Sequence, residues 1–105
     1  MSAPTSDLVY KIMSRAEWAA AQAAGRFEGS DVDRRDGYIH LSAADQWEET
    51  ARKWFAGRDD LVLLSVDLTG LDARWEPSRG GALFPHLYEP LPMAAVREAR
   101  DLPSP

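Results

Sequence analysis

Hydrophobic and polar positions alternate most clearly along two short stretches of this chain. From Tyr38 to Ser42, Ile39 and Leu41 fall on one side of an extended backbone, with Tyr38, His40 and Ser42 on the other. From Leu83 to Tyr88, the same period sets Phe84, His86 and Tyr88 on one face. Both histidines of the chain lie in these two runs. A face of Tyr, His and Ser suits neither bulk solvent nor an apolar core, so the two strands are expected to share a pocket. Pro85 marks the second run as an edge or irregular strand, because proline has no N–H to give a ladder.

The remaining pattern supplies a frame. Leu8 to Met13 reads as a strand, with Val9, Lys11 and Met13 on one side. Ser14 and Glu17 have capping-box spacing and Met13 and Trp18 that of a hydrophobic staple, which predicts a helix ending at Gly25. Residues 27–33 read as a connection with a short strand or turn near Gly29, and Asp36-Gly37 as a turn. Ser42 is placed to cap a second helix reaching about Ala56, with Gly57 as its stop. Trp47, Ala51, Trp54 and Phe55 form its apolar face, and both tryptophans are expected in the core. Leu61 to Leu68 is nearly continuous apolar sequence, the mark of a central strand covered on both faces. Arg74 to Glu76 is a short strand stopped by Pro77. Met93 to Leu102 fits either a last strand or a short helix.

Composition narrows the class. With 105 residues, 45% of them hydrophobic and 28% charged, the chain is expected to form a single globular domain over 1–105, with tails at 1–7 and 103–105. There is no cysteine, which excludes disulfides and thiolate chemistry. A net charge of −5 argues against non-specific nucleic-acid binding. No basic, then apolar leader and no run of membrane-spanning length occurs, so a soluble cytoplasmic protein away from membranes is expected. The oligomeric state is not specified.

Candidate chemistry centres on the two histidine strands. His40 can act near neutral pH as donor, general base or ring-stacking partner. Ser42 is either a helix cap or a nucleophile, and the latter needs His40 or His86 to take its proton. Glu76, beside Trp75, is either a salt-bridge partner or a catalytic carboxylate. The loop Ser78-Arg79-Gly80-Gly81 can hold a phosphate with Arg79 and bare backbone amides. No spacing matches a metal-ligand signature, and no metal is expected.

Several pieces taken together resemble one family. They are Val9-Tyr10-Lys11-Ile12, Glu17-Trp18, Asp36-Gly37-Tyr38-Ile39-His40-Leu41-Ser42 with Gln46, Asp60 to Leu64, Trp75-Glu76, and Phe84-Pro85-His86-Leu87-Tyr88. The chain is similar over most of its length to the bacterial domain-of-unknown-function 952 family. That resemblance implies an ADP-ribosylation-like α+β fold, with two packed β-sheets and two main helices around a nucleotide cleft. It implies NAD as cofactor and ADP-ribosyl or related transfer as the chemistry. Carried over by position, Lys11 stands where the superfamily's first strand supplies a His or Arg to the cofactor's ribose. Ser42 and its neighbours stand near the nicotinamide, and Glu76 is the candidate for the late-strand glutamate. The expected catalytic residues are then His40, Ser42 and Glu76, with Lys11, Tyr38, Arg79, His86 and Tyr88 binding a nucleotide or phosphorylated small molecule. The alternative is a non-catalytic module that uses the same cleft to sense a metabolite or a protein.

Overall fold

The structure is a computed structural model that describes residues 8–105, apart from the side chain of Arg79; the tail expected over residues 1–7 lies outside the described residues. It is an α+β domain. Strand β1 (Leu8–Ser14) leads through a complete Ser14–Glu17 capping box into helix α1 (Arg15–Ala24), which ends on Gly25. Next come β2 (Arg26–Phe27), helix α2 (Asp31–Asp36), β3 (Ile39–His40) and helix α3 (Trp47–Trp54). The rest is extended: β4 (Leu61–Asp67), β5 (Ala73–Pro77), β6 (Leu83–Leu87), β7 (Leu91–Pro92) and β8 (Val96–Leu102). The segment that fitted either a strand or a short helix contains both, a 3-10 turn at Met93–Ala95 and then β8.

All strand pairs are antiparallel, in sheets ordered β1-β4-β8, β2-β7 and β3-β6-β5. β4 is central, as its apolar run requires. Val62, Leu64 and Val66 enter one core, while Leu61 and Leu63 enter a second. The first core lies between the two three-stranded sheets, joining Val9 and Met13 of β1 to Ile39 and Leu87 of β3 and β6. α1 closes it through Trp18 and Ala21, and α3 covers the second core with Ala51, Trp47 and Phe55.

Four expectations need correction. The two-helix plan omits α2, whose end supplies the turn expected at Asp36-Gly37, with Gly37 as its left-handed cap. Ser42 does not cap α3. That position belongs to Gln46, while Ser42 exchanges backbone bonds with Tyr10 and so ties the end of β3 to β1. Trp54 is 67% exposed rather than core, because α3 ends there and its buried stripe is carried by Ala51 and the residues beside it. Finally, β6 is the middle strand of its sheet despite Pro85. The carbonyl of Pro85 accepts from Leu41 N–H, so the missing donor also points to the β3 side, where regular β3 pairing has ended and little is lost.

Candidate functional site

The site is built on a buried aspartate. Ser30 begins α2 with a second capping box, in which Asp33 both donates its N–H to Ser30 Oγ and accepts from Ser30 N–H. Gly29 precedes the box at φ 110°, and a Cβ there would stand 2.9 Å from that of Asp33, so the turn is closed to larger residues. Gly37, at φ 89°, then reverses the chain and sends it into β3. This short helical turn holds the Asp33 carboxylate, 2% exposed, against Lys11 in the middle of β1 and His40 of β3.

There Asp33 accepts from the Lys11 ammonium at 3.1 Å, from His40 N–H at 3.1 Å and from His40 Nδ1 at 2.6 Å. Burial alone would raise this carboxyl. The His40 ring, the Lys11 charge and the backbone N–H groups of Ser30 and His40 outweigh it and hold Asp33 well below the usual carboxylate range. Lys11 is itself buried and also donates to the His40 carbonyl at 3.0 Å. On its outer side, His40 Nε2 meets Asp36 Oδ2 at 3.0 Å. Both ring nitrogens of His40 therefore face carboxylates.

β6 carries the second histidine directly opposite the first, in the pair His40↔His86. His86 Nδ1 lies 2.7 Å from Glu76 Oε1, and the Tyr88 hydroxyl donates to the same oxygen at 2.5 Å. The bonds from Tyr88 and His86 lower the Glu76 carboxyl, and in return Glu76 raises the Tyr88 phenol. Because an ionised carboxylate can only accept, His86 carries a proton on Nδ1. Its Nε2 is buried with no hydrogen-bond partner among the described residues, on a side chain only 4% exposed. The Tyr38 ring is stacked on His86 at 4.0 Å and 23°, and it touches His40 at 4.6 Å and Tyr88 at 5.3 Å. Burial, with the charges of Asp36, Glu76 and Asp33, raises the Tyr38 phenol. Both phenols therefore stay protonated near neutral pH and act as donors.

Tyr38, His40, Glu76, His86 and Tyr88 thus come together on one face of the β3-β6-β5 sheet. The sheet's opposite face packs into the first core. Ser42 stands apart from this group, with its hydroxyl 3.4 Å from Thr50 Oγ1 of α3. Lys11 lies beneath the cluster, where its charge is taken up by Asp33. Arg79 sits in a 3-10 turn at Arg79–Gly81, and its side chain is outside the described residues. The described cation on this face is Arg74, opposite His86 in the ladder, with its guanidinium 4.6 Å from the centre of the Tyr88 ring. Among the described residues, no group of three or more acidic, histidine or cysteine side chains is arranged to hold a metal, and no helix is long and apolar enough to cross a membrane.

Two supporting residues, Asp33 and Asp36, escape a reading based on alternation. Ser30-x-x-Asp33 followed by Gly37 is a helix start and stop signal in plain view, and it would have turned Asp33 towards β3.

Fold and site together define a small α+β domain bearing a histidine–carboxylate–tyrosine cluster on the outer face of an antiparallel sheet. Residues 12–99 match the family described as "Protein of unknown function (DUF952)", and the chain belongs to it. Among solved structures it is similar to the crystal structure of protein CC0527 from Caulobacter crescentus. The two share 61% identity over 90% of this chain and 85% of that one, with a TM-score of 0.87. The solution NMR structure of the same protein gives 60% identity over 92% of this chain and 85% of that one, with a TM-score of 0.83. No curated protein matches the chain.

Proposed function

We propose that this domain is a nucleotide-binding enzyme of the ADP-ribosyl-transfer type, working on the face formed by Tyr38, His40, Glu76, His86 and Tyr88. The observation that supports this most is Glu76. Its carboxylate is kept ionised by Tyr88 and His86, yet it is 35% exposed at the rim of an aromatic stack. A fixed negative charge beside a π surface suits a substrate whose ring base leaves a sugar carbon as positive charge grows there. Tyr38 supplies the stacking surface and Arg74 the cation for a phosphate. Lys11 and Ser42 support the sheet in this reading and do not touch the ligand. The two three-stranded sheets sharing one core are compatible with the ADP-ribosylation-like architecture.

A second reading, a binding module without catalysis, is favoured by one observation. Asp33, Lys11 and His40 already satisfy one another, and Glu76 is likewise satisfied by His86 and Tyr88, as in a rigid recognition surface.

Thermal unfolding with NAD, ADP-ribose and mononucleotides tests both readings. Ligand at ten times Kd adds about 1.4 kcal/mol, or roughly 5–10 °C for a domain this small. No shift at millimolar ligand would remove the nucleotide-binding form of both. Nicotinamide release from NAD separates them, and under the enzyme reading Glu76→Gln lowers the rate roughly 10²–10³-fold while the thermal shift persists.

A further inference from the structure

Strand β8 is an outer strand of the β1-β4-β8 sheet, and residues 97–101 along it are all exposed. Other edges are closed in different ways. β1 is bonded to Ser42 through Tyr10, and on β5 the Ala73 N–H is spent on Leu71 while Pro77 has none to give. β8 has neither device among the described residues; its irregularity is a bulge at Arg97, which leaves Glu98 to Leu102 as the regular stretch, with Ala99 and the Glu98–Arg100 mirror pair inside it.

Its sequence, Val-Arg-Glu-Ala-Arg-Asp-Leu, is antisymmetric in charge about Ala99. Glu98 mirrors Arg100, Arg97 mirrors Asp101, and Val96 mirrors Leu102. An antiparallel strand of the same sequence centred on Ala99 therefore meets it with every acid opposite a base. Backbone direction agrees with that centre. Tyr10 spends its N–H and carbonyl on Ser42, so it turns away from β4. Ser65, opposite Tyr10, then turns towards β8 and its partner Glu98. Alternation along β8 points Glu98 and Arg100 at β4, and Ala99 and Asp101 at the open edge. Arg97 already bonds Asp67, and Asp101 lies 3.4 Å from Arg15. Glu98 and Arg100 have no partner among the described residues.

We propose that β8 pairs with β8 of a second copy about a two-fold axis at Ala99, joining the two β1-β4-β8 sheets into one continuous sheet. Charges on an edge strand ordinarily prevent such pairing. Here the mirrored order converts them into cross-strand pairs of opposite sign, in an isologous contact. This inference is independent of the function proposed above.

Light scattering and sedimentation equilibrium on the full chain test it. The expected species has twice the mass of the chain. Glu98→Arg alone, or Arg100→Glu alone, places like charges opposite each other and weakens the dimer roughly tenfold or more. The double exchange of both residues restores it. Ala99→Pro removes the outward N–H at the centre, leaves the bonds to β4 intact and gives a monomer with unchanged circular dichroism. If that variant does not fold, the charge exchanges still decide. A wild-type chain that is monomeric at every concentration overturns the proposal. So does a dimer whose strength none of these substitutions moves.

Discussion

Asp33 gathers Ser30, Lys11 and His40 around one buried carboxylate. Removing its charge leaves the Lys11 ammonium buried without a counter-ion, so Asp33→Asn is expected to destabilise the fold by roughly 3–5 kcal/mol. Urea denaturation measures this. The pH dependence has a definite sign. Asp33 titrates lower in the fold than in the unfolded chain, so the native state binds fewer protons. Its contribution is complete above the ordinary carboxyl value of about 4 and is lost as pH falls through and below it. Denaturation midpoints measured across that range should fall steeply for the native sequence and less steeply for Asp33→Asn. An equal slope in both would show that other carboxyls dominate the acid transition.

The elements that position the site differ in how plainly the sequence announces them. β4 and α1 follow from a long apolar run and from a capping box with a glycine stop. The sharing of one sheet face by His40 and His86 follows from two-residue alternation, which a one-residue slip in register would have destroyed. α2 is harder, because six residues are too few to show a helical period and only its caps betray it. The partial burial of Trp47 and exposure of Trp54 on one helix could not be separated by spacing, since the difference depends on where α3 stops against the sheet. α2 also allows a local test. Gly37 is left-handed with open space around it, so Gly37→Ala should cost about 1 kcal/mol. Gly29→Ala adds a clash with Asp33 to the same penalty and should cost clearly more. Equal losses for the two would mean that the approach to Asp33 is not tight.

For the whole molecule, the packing of two antiparallel sheets puts the apolar sides of β3 and β6 inward and turns Tyr38, His40, His86 and Tyr88 to the opposite face, with His86 buried against Tyr38. Glu76 reaches the same face from β5. This histidine–tyrosine face is thus a by-product of how the core closes, braced from below by Lys11 and Asp33. The sequence identifies its histidines and tyrosines; the bracing depends on long-range contacts that no local pattern encodes. The central claim is that the Tyr38 ring, stacked on His86, and the Glu76 carboxylate form a ligand-binding surface. The direct measurement is the nitrogen NMR spectrum of the two histidine side chains during titration with NAD. The account predicts that the His86 ring moves with added ligand, and that Tyr38→Ala greatly weakens the response. Unchanged His86 and His40 signals at millimolar NAD would contradict it.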